Sequence, residues 1–101
     1  MTTTDHLWTI LMEECGEIIQ VASKALRFGA NDSPPESAHT NEQRVVYEFN
    51  DLTALMEMLK EAGEVKGALY DLDAIERKKT KVLDYLQYSA KLGRVTIETE
   101  E

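Results

Sequence analysis

Four carboxylates in this chain occupy places that a helical pattern reserves for apolar side chains. Glu14 and Glu17 are three residues apart, and so are Glu48 and Asp51. A helix turns by about 100° per residue, so an i, i+3 pair projects from one face. On such a wheel Glu14 falls among Leu7, Leu11, Ile18 and Val21, while Glu17 lies at the stripe's edge beside Ile10 and Val21. Glu48 sits amid Val45, Leu52, Leu55 and Leu59, and Asp51 borders that stripe near Leu55 and Met58. Glu13 flanks the first stripe. A buried carboxylate is costly, and like charges in one site cost more, so such a cluster must be protonated, paired with bases or bound to a cation. Oxygen-only donors suit magnesium, manganese or calcium. No Glu-x-x-His pair accompanies them, which weighs against a di-iron site. Acids on helices are usually a solvated face, and with 19 Asp and Glu in 101 residues some i, i+3 pairs arise by chance. Two such pairs inside apolar stripes, on consecutive helices, favour the metal site.

The elements that must hold these groups are helical. Leu7, Ile10, Leu11, Ile18, Val21 and Ala25 recur at helical spacing from about Thr4 to Phe28, which predicts a long first helix ending at Gly29. The stretch from Gly29 to Thr40, GANDSPPESAHT, is rich in turn formers, and Pro34-Pro35 forbids regular structure. Thr40 with Gln43 resembles a capping box, and Val45, Phe49, Leu52, Leu55, Met56 and Leu59 then carry a second helix towards Gly63. Asp71 is placed to cap a third helix that bears Leu72, Ile75, Val82, Leu83, Leu86 and Ala90 and stops at Gly93. The last residues, RVTIETEE, alternate like a strand but are too few and too acidic to build a sheet, so 94–101 reads as a short acidic tail.

Length and charge narrow the function. A chain of 101 residues makes one domain, with a core modest for its surface, and help from a second copy is expected. A net charge of −8 argues against a grip on nucleic acid polymers, which begins with a basic face. Phosphate must then be met by metal or by a local basic cluster. The single cysteine, Cys15, excludes an internal disulfide and a cysteine-based zinc site, and reads as an inert small residue. No apolar stretch approaches the roughly 20 residues of a membrane span, and MTTTDHLW lacks a basic n-region. The expected location is cytoplasmic.

Glu13-Glu14-Cys15-Gly16-Glu17 reads as EExxE and Glu48-Phe49-Asn50-Asp51 as ExxD. In that order, on the first two helices, they resemble the signature of the MazG-like, all-α nucleoside triphosphate pyrophosphohydrolases. KALRFG at 24–29, Thr40-Asn41 and KKTKVLDYL at 78–86 look like the short phage- or prophage-associated members. The resemblance covers about Leu7 to Gly93. It implies magnesium-dependent hydrolysis of a nucleoside or deoxynucleoside triphosphate between the α and β phosphates, giving monophosphate and pyrophosphate, with manganese as a substitute ion. It further implies Glu14, Glu17, Glu48 and Asp51 as metal ligands, and Glu13 as an acidic neighbour that orients a ligand or the attacking water beside Glu14 and Glu17. Water would attack phosphorus in line, with no covalent intermediate. The Glu17-to-Glu48 spacing is at the long end of the family's pattern because the Pro-Pro loop intervenes.

Arg77, Lys78, Lys79 and Lys81 form the densest basic cluster of an acidic chain. Lys78 and Lys81 share a face, whereas Lys79 points into the apolar stripe. The resemblance matches Lys78 to a lysine that contacts triphosphate; a solvated run with a snorkelling Lys79 explains the cluster equally well. Arg27 could reach phosphate or base, or merely complement the helix dipole. Trp8, the only tryptophan, could stack a base, though core or subunit interface is the commoner role. Tyr85 and Tyr88 could line a pocket or a dimer contact, and Asn41 could bond substrate or simply begin the second helix. His6 and His39 acquire no role, and Met56 and Met58 read as filler.

The expected architecture is all-α, three main helices per chain, with the first two antiparallel and a bundle completed by oligomerisation, as a homodimer or else a homotetramer. Two rivals stand beside the enzyme. One is a non-catalytic helical interaction or regulatory protein whose acids are surface decoration. The other keeps fold and metal but narrows the substrate to dUTP, dCTP or phosphoribosyl-ATP.

Overall fold

A computed structural model describes residues 1–98, in which three helices and no strands are formed. The chain divides into two compact units, Met1–Gly67 and the segment from Ala68 onward. The all-helical reading of the periodicity is therefore correct.

The first unit is a helical hairpin. Helix α1 spans Thr3–Phe28 and α2 spans Asn41–Glu61. Helix α1 begins one residue before the apolar pattern does, because Thr2 and Asp5 close a capping box: the Asp5 amide donates to Thr2 Oγ1 at 3.1 Å and the Thr2 amide to Asp5 Oδ2 at 2.9 Å. The bond from the Thr2 backbone, and then that from its hydroxyl, hold the Asp5 carboxyl below its ordinary value. The expected box at α2 is formed by Thr40 and Gln43, at 3.2 and 2.9 Å. The helices run antiparallel, since Glu17 of α1 meets Glu48 of α2 while Gly29, beyond the end of α1, meets Asn41 at the start of α2.

Apolar burial between these helices is narrow. Val21, 3% exposed, and Leu59, fully buried, are the large apolar side chains that lose their water. Leu7, Ile10, Leu11, Ile18, Val45, Leu52 and Leu55 are half-buried along the same seam. The 29–40 connection is tied down rather than loose. Asn41 and Glu42 donate their amides to the carbonyls of Asp32 and Ala30, at 2.8 and 2.9 Å, and the His39 ring meets Tyr47 edge-on at 4.9 Å. Gly29 takes φ 103, a conformation that favours glycine, and there its carbonyl accepts from Asn41.

The second unit carries α3, Leu72–Lys91, whose Asp71 cap accepts the Ala74 amide at 3.0 Å as its sequence position predicts. No residue of α3 is buried; Val82, Leu83, Tyr85 and Tyr88 are each more than half exposed. Lys79 lies beside Val82 and Leu83, as its place on the helix predicts. Its ammonium pairs with Glu76 at 3.0 Å, one turn back, where both side chains stand in water and the pair contributes little to stability. Residues 94–98 have no regular structure, and the rest of the acidic tail lies outside the described residues. No described helix is long and apolar enough to cross a membrane.

Candidate metal centre

The middle of the α1–α2 seam is acidic. Each of Glu14, Glu17 and Glu48 contributes a carboxylate oxygen to a group in which all lie within 4.8 Å of one another. The apolar pattern explains their aim: the residues one turn either side of Glu14, Leu11 and Ile18, and those beside Glu48, Val45 and Leu52, are half-buried, so the helix faces that hold these glutamates are turned towards each other. Glu14 Oε2 and Glu48 Oε2 are shielded from solvent and have no hydrogen-bond partner. Nothing in the seam donates to them.

The electrostatic consequence falls on Glu48. Burial first, and then the facing carboxyls of Glu17 and Glu14, push its pKa up to about 7 from an ordinary 4.5. The neighbours act in two ways: their negative charge opposes a second ionisation nearby, and their oxygens can accept a hydrogen bond only from a protonated Glu48. A shared proton is one way to relieve this cluster. A divalent cation is the other, since three carboxylate oxygens gathered within 4.8 Å of one another would need only a small closing movement to share one ion, a larger one for magnesium, with bonds of about 2.1 Å, than for calcium. The donor set is all-oxygen and anionic, which fits a hard cation.

The other residues singled out in the sequence are placed as follows. Asp51, one turn beyond Glu48, is exposed and is not among the carboxylates that converge. Glu13 is exposed beside Glu14. Trp8 is 38% exposed on α1. The guanidinium of Arg27 sits 4.7 Å from the centroid of the Phe28 ring, so this cation is engaged by its own neighbour. Lys78 and Lys81 belong to the second unit, in separate depressions of α3: Lys81 beside Arg77, Asp84 and Tyr85, Lys78 beside Val82 and Leu83.

Arg44 emerges from the structure rather than from the sequence, and Asn41, singled out in the sequence, gains an unpaired atom there. Arg44, one turn before Glu48, is half-buried, and its Nη1 is shielded from solvent with no partner. Asn41, two turns before Glu48, is buried with an unpaired Oδ1. The signal for Arg44 was a cation inside the apolar stripe of α2, the mirror of the signal given by the acids. The start of α2, by contrast, offers an anion little: the amides of Asn41, Glu42 and Gln43 are already bonded to Asp32, Ala30 and Thr40.

No protein-family model, curated protein or solved structure matches this chain.

Proposed function

We propose that the chain is a magnesium-dependent nucleoside triphosphate pyrophosphohydrolase whose cation is held by Glu14, Glu17 and Glu48, with Asp51 joining from the next turn of α2. The observation that carries this reading is the convergence of three half-buried carboxylates with two oxygens out of water and unpaired. A purely structural role would have left them with donors or on a solvated face. The order EExxE then ExxD agrees with it.

A cation bound there supplies positive charge to offset what develops on the phosphate oxygens during attack. The chain's own groups do the rest. Glu14 and Glu17 orient the phosphate by fixing the cation on α1, and Glu48 does so from α2, so the hairpin must be closed for the site to exist. Glu13, exposed beside Glu14, is the group we assign to hold the attacking water and take its proton. Arg44 brings an unpaired N–H one turn from Glu48, suited to a phosphate oxygen.

The protein acts as a homodimer, with a homotetramer as the next larger assembly, in the cytoplasm. Support comes from the narrow core and from the exposure of Ile19, Leu26, Val82, Leu83 and Tyr85, apolar surface of the kind that a second copy covers. The test is pyrophosphate release from a panel of ribo- and deoxyribonucleoside triphosphates, with magnesium and with a chelator. Metal-dependent release supports the enzyme; silence across the panel would leave a helical interaction protein as the better reading.

A further inference from the structure

The row of α1 turned to α2 contains Leu7, Leu11, Glu14, Ile18, Val21 and Ala25. One residue on from each, Trp8, Met12, Cys15, Ile19, Ala22 and Leu26 form a second row, apolar or small throughout. Their spacing alternates four and three, that of a coiled-coil seam, over about 27 Å of helix. Helix α2 repeats the device: Val45, Glu48, Leu52 and Leu55 face α1, and Val46, Phe49, Thr53 and Met56 follow them. A step of one residue turns a side chain by about 100° in the same sense along each chain, so in antiparallel helices that face each other both second rows emerge on the same side of the hairpin. The rows shifted one residue the other way hold charged groups such as Glu13, Arg44 and Asp51. The hairpin therefore has one apolar side.

That side is open to water. Met12, Ile19 and Leu26 are 66%, 71% and 89% exposed, and Trp8, Val46 and Phe49 are exposed with them. From Trp8 to Leu26, and from Val46 to Met56, the second rows carry no charged side chain. Lys60, next in the row of α2, is drawn away, its ammonium donating to the Gly67 carbonyl at 2.9 Å.

We infer that a second copy of this chain covers the apolar side, hairpin against hairpin, so that the two copies form a bundle of four helices. Area and charge select this occupant. The six large exposed side chains offer on the order of 700 Å², close to the ~800 Å² that each partner of a stable pair buries. With a net charge of −8, two copies repel each other unless they meet where neither carries charge, and the second rows supply such a surface. Cys15 and Ala22, small among Met12, Ile19 and Leu26, leave hollows for the partner's larger side chains. A copy lying across both rows also ties α1 to α2, against the repulsion of Glu17 and Glu48 in the seam behind. This contact rests on the reading of the protein as a homodimer and needs neither metal nor substrate.

The experiment uses the full chain and its single cysteine, which is exposed in one protomer and lies within the row of α1. Sedimentation of the wild type is expected to show a dimer or a pair of dimers that dissociates on dilution, with alkylation of Cys15 by iodoacetamide at least about tenfold slower in the assembled protein than in the dilute one. Ile19→Glu, at a position that one protomer leaves in water, is expected to sediment as a monomer with its helical circular dichroism retained and its Cys15 reactive at every concentration. Leu83→Glu on α3 is expected to leave both the assembly and the protection of Cys15 intact. A wild type that remains monomeric overturns the contact and the homodimer together. An assembly in which Cys15 stays as reactive as in the dilute protein, one that survives Ile19→Glu, or one dissolved by Leu83→Glu alone overturns this contact and retains the homodimer. If Ile19→Glu does not fold, the dilution series of the wild type decides, since protection of Cys15 there needs no variant.

Discussion

Glu48 of α2 and Glu17 of α1 face each other across the hairpin seam with carboxylate oxygens within 4.8 Å, and Glu14 completes the group. Two like charges at that separation in a partly dry seam oppose each other, and Glu48 yields: its pKa stands at about 7. The fold therefore holds its two main helices together around a point of repulsion, which a proton or a cation relieves.

Relief by substitution should be measurable as stability. Glu48→Gln keeps the shape and removes the charge, so the metal-free variant at pH 8 is expected to melt a few degrees above the wild type. Magnesium should raise the melting temperature of the wild type and leave that of Glu48→Gln nearly unchanged. Equal magnesium stabilisation of both proteins would separate Glu48 from the metal.

The same residue sets a pH dependence. Between its ordinary 4.5 and about 7 the folded protein holds a proton on Glu48 that the unfolded chain has released, so folding is favoured at the low end of that window. That contribution is fully present below 4.5 and lost as the pH rises through 7. Thermal unfolding in chelator, followed from pH 4.5 to 8, is expected to show the wild type losing ground steadily to Glu48→Gln. A difference that stays constant across the window would contradict the assignment.

Leu59 tests how little apolar burial supports the hairpin. It is fully buried, and Leu59→Ala is expected to cost about 3 kcal/mol in urea unfolding. In a chain of 101 residues that is a large share of the whole. A loss under about 1 kcal/mol would mean that the seam collapses around the smaller side chain.

Thr40 couples the connection to α2 through the box it forms with Gln43. Thr40→Ala is expected to cost about 1 kcal/mol and, because Asn41 follows directly, to increase amide exchange over 29–42. Unchanged exchange there would show that the loop carbonyls of Ala30 and Asp32 hold the start of α2 unaided.

Much of this was legible in the sequence, for identifiable reasons. A 3.6-residue apolar period, two caps at Thr40 and Asp71 and glycines after each helix are local signals, and local signals fix helices. Glu14 and Glu48 were visible because each breaks an apolar stripe, and Glu17 because it shares a face with Glu14 at the edge of one. Asp51 lies at the border of its stripe, where a wheel cannot tell inward from outward, and it proves exposed. The cap at Thr2 was missed because the apolar period starts after it. Lys79 was legible too: it lies beside Val82 and Leu83, and its long stem carries the ammonium out of that stripe to Glu76. The unpaired atoms of Arg44 and Asn41 depend on what the other helix and the loop bring opposite them, which no periodicity encodes.

The most direct test is product analysis of a deoxynucleoside triphosphate incubated with the wild type and with Glu48→Gln, in magnesium. The account predicts monophosphate and pyrophosphate in equal amounts from the wild type, none in chelator, and a rate at least about a hundredfold lower from a correctly folded Glu48→Gln. Full activity in Glu48→Gln, or formation of the nucleoside diphosphate and inorganic phosphate instead, would contradict it.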